Sequence, residues 1–253
     1  MPDTGSNFSV KLAETDEELH AAQALRYDVF VRELGGGGGL VDHLAGLERD
    51  RFDPFYDHMI VSDTETGRVV GVYRLLRDDA ARRVGQFYSE DEYDLGVLKA
   101  SGRRLLELGR SCLHRDYRGG MALFHLWNGL ADYVRRHEIE ILFGVASFHG
   151  TDPELLKHPL SLLHLRHLAP PELRVRAHDQ NFQPMNLVDG KDLDRKRAMV
   201  EMPSLIKAYL RLGGCVGEGA FIDHAFNTTD VCLIMDTRRL SARQERMYIG
   251  GSS

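Results

Sequence analysis

The sequence predicts one α/β domain in which a mixed central sheet is flanked by helices, and three observations carry that expectation. Short β-like runs alternate with helical patterns throughout the chain, and no linker divides them into separate domains. The 253 residues are 43% hydrophobic, enough to bury one sizeable core. The stretch from Leu105 to Ala146 reads as strand, arginine/glycine turn, helix and strand in immediate succession.

Each element has a local reason. Phe8 to Leu12 reads as the first strand. Thr15, with Glu18 three residues on, is a capping box opening a helix that runs to about Leu34. Gly35 to Gly39 ends that helix in a loop expected to be mobile, because five glycines lose much entropy on ordering. His58 to Ser62 and Val69 to Leu76 form a hairpin around residues 63–67. The run Leu105 to Leu113, apolar but for one acid and one arginine, is a strand ending at Arg115-Asp116-Tyr117-Arg118-Gly119-Gly120. Met121, Leu123, Phe124, Leu126, Trp127, Leu130 and Val134 then recur at helical spacing, and Ile139 to Ala146 is β-like. Asp152-Pro153 supplies an N-cap and first position for a helix interrupted or restarted by Pro159. Pro203 starts a helix that Gly213 terminates. Val216 to Ile222 and Thr229 to Met235 close the chain as a strand pair, and the tail after Leu240 is polar and frayed. The core therefore spans about residues 8 to 240.

Composition agrees with a cytoplasmic enzyme of one compact unit. A net charge of −6 discourages nucleic-acid binding. No apolar run approaches the roughly 20 residues needed to cross a bilayer. The start MPDTGSNFSV lacks a basic region followed by an apolar stretch, so no secretion signal is read. Cys112, Cys215 and Cys232 are far apart and odd in number, which argues for reduced thiols. Histidines 149, 158, 164, 167 and 178 are better read as helix surface than as metal ligands, since only His164 and His167 share a helical face.

A strand, an arginine/glycine turn and a helix N-terminus together present backbone N–H groups to a phosphate. Arg115, Arg118, Gly119 and Gly120 are the candidates, the alternative being an exposed basic turn that touches nothing. Glu107, an acid on an apolar strand, is the candidate base; the alternative is a structural ion pair with Arg110 or Arg74.

The turn resembles the acyl-donor motif Q/R-x-x-G-x-G/A of the GCN5-related N-acetyltransferase superfamily. Arg115 takes the first position and Gly120 the last, while Arg118 stands where the middle glycine belongs. Four further segments resemble acyl-homoserine-lactone synthases, in the same order. They are Arg26-Tyr27-Asp28-Val29-Phe30, the acidic stretch from Glu48 to Asp57, Arg74-Leu75-Leu76 and Glu107-Leu108-Gly109-Arg110. The stretches Phe55-Tyr56-Asp57-His58, Pro203 to Gly213 and Phe226-Asn227-Thr228-Thr229-Asp230-Val231 are similar to the ornithine-lipid branch, the L-ornithine N-alpha-acyltransferases.

The resemblance implies a GCN5-related N-acetyltransferase-like single domain over residues 1–253. It implies an enzyme moving a (3-hydroxy)acyl chain from the phosphopantetheine thioester of acyl carrier protein to the α-amine of L-ornithine, giving lyso-ornithine lipid. No bound cofactor and no metal are implied, and there is room for peripheral contact with the inner membrane. Arg118 hinders close approach to a pyrophosphate, whereas one phosphopantetheine phosphate needs fewer N–H donors, so the carrier protein is favoured over coenzyme A. The clusters Arg103-Arg104, Arg135-Arg136 and Arg195-Lys196-Arg197 either dock an acidic carrier or remain solvated faces. Arg26 and Arg74, with Arg110, are candidates to grip the ornithine carboxylate through a bidentate fork. Asp50, Asp53 and Asp57 are candidates for its side-chain ammonium; internal pairing of these arginines and aspartates is the other reading. Two other functions stay open: a lactone synthase acting on S-adenosylmethionine, and a non-catalytic carrier-binding or membrane-associated module.

Overall fold

A computed structural model describes residues 7–37 and 41–239. In chain order these form β1 (Phe8–Leu12), α1 (Asp16–Arg26) with a π-helical continuation (Tyr27–Glu33), β2 (Asp57–Asp63), β3 (Val69–Arg77) and α2 (Asp78–Val84). Next come β4 (Tyr93–Asp94), α3 (Gly96–Ala100), β5 (Leu105–Leu113), α4 (Met121–Arg136), β6 (Ile141–His149) and α5 (Lys157–His167). The remainder is β7 (Arg176–Ala177), β8 (Phe182–Gln183), α6 (Arg195–Glu201), α7 (Ser204–Arg211), β9 (Cys215–Val216), β10 (Ala220–Asp223) and β11 (Thr228–Asp236). Packing divides the chain into two compact units. One holds the described residues up to Leu76 with Leu108–His137; the other holds Arg77–Glu107 with the described residues from Glu138 onward.

The first unit carries strands in the order β1-β2-β3-β5. Alternation along β2 decides which helix covers which face. Ile60 and its cross-strand partner Val72 meet Ala22 and Leu25 of α1, Val29 of the π-helix and Cys112 of β5. Met59 points to the opposite face and packs with Val10 against Gly129 of α4, where an added Cβ would lie 2.6 Å from Val10 Cγ1. Helices therefore cover both faces.

In the second unit the start of β5 runs parallel to β6, from Leu105↔Ile141 to Glu107↔Phe143. β6 then pairs antiparallel with β11 from Asp236↔Ile141 to Thr228↔His149, and β10, β8 and β9 extend the antiparallel part. The mixed α/β class expected from the sequence is the class observed. Among the described residues no helix is long and apolar enough to cross a membrane.

Four local readings need adjustment or fall elsewhere. The first helix ends its α-helical part at Arg26 and continues as a π-helix, with Leu34 N–H reaching Val29 O at 3.1 Å. Asp152 caps only a turn, accepting Glu154 N–H at 2.9 Å, and α5 starts at Lys157. Pro159 is tolerated there because the first turn has no use for its missing N–H. The run from Val216 to Ile222 is broken between β9 and β10 at Gly217–Gly219, where Gly219 takes φ +75°. Gly38, Gly39 and the tail after Leu240 lie outside the described residues.

Candidate active site

The face of β2 and β3 that packs on α1 turns polar at its end, where His58 and Arg74 replace the apolar pair Ile60 and Val72. Arg26, the last residue of α1, arrives at the same place. Both arginines are fully buried. Arg26 Nη1 donates to the two oxygens of Asp53 at 2.9 and 3.1 Å, and its Nε and Nη2 reach Glu48. Arg74 Nη1 donates to Asp50 Oδ2 and Asp53 Oδ1, each at 2.6 Å, and its guanidinium lies 4.2 Å from the Tyr56 ring centroid. Arg110 Nε donates to Glu48 Oε1 at 3.1 Å, with Nη2 3.7 Å from Asp50. Three guanidinium groups thus face three carboxylates, a balance without which burying either set would be costly.

Burial alone would raise the Asp53 carboxyl, but Arg26 and Arg74 hold it below its ordinary range. His58 is lowered chiefly by burial, and its Nε2–H donates to the Asp53 carbonyl at 3.0 Å. Access to solvent separates the candidates. The side chains of Arg110 and Asp50 are 19% and 17% exposed, whereas Arg26, Arg74 and Asp53 form the floor. Arg110 also adopts φ +50°, a conformation that a non-glycine residue holds only where its surroundings impose it.

Glu107, 1% exposed, sits in the second unit. Its carboxylate accepts Tyr88 N–H at 2.9 Å and Ser89 N–H at 2.6 Å. These donors come from a 3-10 turn, Tyr88–Asp91, which is pinned by Glu90 Oε2 accepting Phe87 N–H at 2.8 Å. Phe87 in turn packs edge-on against Phe143, with ring centroids 5.0 Å apart. The carboxylate is therefore fixed in place before any substrate arrives. The thiols are unsuited to nucleophilic work, because burial pushes Cys112 up to about 12 and Cys215 up to about 11.

The basic turn is a 3-10 segment, Arg115–Tyr117, followed by Gly119 at φ +77° and Gly120 as N-cap of α4. Tyr117 anchors it by donating to Asp63 Oδ2 at 2.7 Å. Among the described residues no side chain caps α4, so its first N–H groups remain available to an anion. Arg118 is turned back on the protein, its Nη2 on Glu33 at 2.8 Å and its Nε on Leu113 O at 3.1 Å. Arg115 is 77% exposed, with Asp116 3.7 Å away. Of the basic clusters, Arg103 pairs with Asp236, Arg104 with Glu138, Arg135 with Asp132 and Arg197 with Glu201.

Known proteins resemble this chain. A family model described as an acetyltransferase (GNAT) domain matches residues 25–128. An L-ornithine N(alpha)-acyltransferase of Rhodobacter capsulatus is 58% identical over 96% of this chain and 95% of its own length. The chain belongs to the L-ornithine N(alpha)-acyltransferase family. Another member, from Brucella abortus, is 42% identical over 96% of this chain and 89% of its own length. Solved structures share the fold at low identity. FeeM, an N-acyl amino acid synthase from uncultured soil microbes, is 10% identical with a TM-score of 0.53 over 92% of each chain. The AHL synthase LasI is 16% identical with a TM-score of 0.53, over 98% of this chain and 96% of its own.

Within this family fold, two participants escaped the sequence reading. In the sequence Glu48 is one member of an acidic stretch, yet in the fold it binds both Arg26 and Arg110. The Tyr88–Ser89 turn that holds Glu107 had one available signal, Glu90 three residues after Phe87. Glu92, Asp223 and Asp230 also bring carboxylate oxygens within 4.8 Å of one another, although nothing in their spacing announces it.

Proposed function

We propose that the chain transfers a (3-hydroxy)acyl group from the phosphopantetheine thioester of acyl carrier protein to the α-amine of L-ornithine, giving lyso-ornithine lipid. The observation that carries this reading is the buried Glu107 carboxylate, held in place by two backbone N–H groups, in a chain of this family. An α-amine titrates near 8, so a carboxylate acting directly or through water is a sufficient base. Glu107 takes the amine proton, the nitrogen lone pair attacks the thioester carbonyl, and the C–S bond breaks as the amide forms. The departing thiolate takes up the second proton that the nitrogen sheds as the amide forms, and leaves as the pantetheine thiol. Arg110, at the solvent edge of the ion cluster, grips the ornithine carboxylate, with Arg26, Arg74 and Asp53 as the floor that positions it and Asp50 beside the acceptor's ammonium.

The uncapped start of α4, Gly119, Gly120 and Arg115 receive the donor phosphate, while Arg118 braces the turn through Glu33. A turn built with Arg118 in place of a glycine suits one phosphate better than a pyrophosphate, which supports the carrier protein as donor. Strand β5 is one uninterrupted element from Leu105 to Leu113, which supports reading residues 1–253 as a single acyltransferase domain. For a cytoplasmic enzyme releasing an amphipathic product, α6 is the candidate contact with the inner membrane. Its exposed Val200 and Met199 lie one turn from Arg195 and Lys196. Incubating the purified protein with ornithine and acyl carrier thioesters tests the reading by thiol release and product mass; no N-acylornithine would end it.

A further inference from the structure

Ser89 lies on the turn that holds Glu107. Its N–H donates to Glu107 Oε1 at 2.6 Å, its carbonyl accepts Glu92 N–H at 3.1 Å, and the residue is 1% exposed. Its hydroxyl nevertheless has no hydrogen-bond partner among the described residues. Buried serine hydroxyls nearly always find one, because a hydroxyl taken out of water and left with neither donor nor acceptor contact is destabilising. A backbone carbonyl within reach would have satisfied it, and alanine would have removed the cost altogether. An unmet hydroxyl on the turn that fixes the proposed base is accounted for if its partner arrives with the substrate.

We propose that the Ser89 hydroxyl contacts the acceptor, its oxygen accepting a hydrogen bond from the α-amine while Glu107 takes the proton. The inference rests on the acyltransferase reading above. A hydroxyl is chemically suited to this role. Its lone pairs hold one amine N–H, which turns the nitrogen lone pair toward the thioester carbonyl, and it neither gains nor loses a proton overall. The bonds made and broken are those of the transfer itself.

The test is Ser89→Ala in the full-length protein, read for both stability and kinetics. Removing an unmet buried hydroxyl should leave Tm unchanged or raise it, while kcat/KM for ornithine falls about tenfold, the scale of one hydrogen bond. The KM for the acyl carrier thioester should not move. Ser89→Thr, which keeps the hydroxyl, should recover part of the rate. In a Glu107→Gln background the Ser89→Ala penalty should shrink, since the two groups act on one amine. A lowered Tm with unchanged kinetics would make the hydroxyl structural, and so would a rate loss that merely follows a loss of Tm. A full penalty persisting without Glu107 would place Ser89 at some other step. If the wild-type chain acylates no ornithine, the function falls; if it does and Ser89→Ala is kinetically silent, only this assignment falls.

Discussion

A carboxylate on an apolar strand is destabilising unless its charge is met, and two backbone N–H groups meet that of Glu107. Glu107→Gln keeps the shape and loses the proton acceptor. We expect ornithine-dependent thiol release to fall about a hundredfold or more with the fold retained, the usual scale for a positioned base. Near-normal turnover at neutral pH would leave Glu107 a purely structural group. The ion cluster makes a different prediction, about acid. The folded pKa of His58 lies below its ordinary value, so its neutral form adds stability that is complete above about pH 6.5 and lost as pH falls below that. Asp53 is also depressed, so its contribution holds above about pH 4 and disappears below. Unfolding free energy followed by urea should decline from neutral pH toward about pH 5, and His58→Gln should flatten that limb. An identical decline in the variant would assign it to other groups.

Among the elements, the break between β9 and β10 offers the sharpest stability test. Gly219 adopts φ +75°, and an added Cβ would lie 2.1 Å from the Phe182 ring. Gly219→Ala should cost about 2–4 kcal/mol in urea unfolding, combining backbone strain with overpacking. A change below about 0.5 kcal/mol would mean that β8 yields freely. The same break shows what a sequence can and cannot reveal. Phe8–Leu12 and Leu105–Leu113 match their sequence bounds because strand alternation and its interruption are local signals. The run around Gly217–Gly219 looked continuous because the obstacles there, Val175 and Phe182, come from distant segments. The π-helix after Arg26 was equally hidden, since apolar spacing barely distinguishes it from an α-helix. For the site, residue types were legible but partnerships were not. Arg26, Arg74, Arg110, Asp50 and Asp53 could be named, whereas only the fold reveals which carboxylate meets which guanidinium and that Arg110 and Asp50 form the accessible edge.

At the scale of the whole molecule, the proposed chemistry requires one donor and one acceptor to be chosen. The turn geometry leads us to expect carrier-protein thioesters to be used at least about tenfold better than acyl-coenzyme A, a step of about 1.4 kcal/mol. Equal kcat/KM for both donors would remove the structural argument from Arg118. On the acceptor side, Arg110→Lys should raise the KM for ornithine while sparing the donor, because lysine lacks the planar fork; an unchanged KM would move the carboxylate elsewhere. The most direct measurement is product analysis by mass, with purified protein, a 3-hydroxyacyl carrier thioester and an equimolar mixture of ornithine, putrescine and S-adenosylmethionine. We expect Nα-acylornithine to exceed acylputrescine by at least about thirtyfold, since losing a charge-assisted carboxylate pair costs about 2–5 kcal/mol. Putrescine acylated as readily as ornithine, or an acyl-homoserine lactone as the main product, would contradict the proposed acceptor.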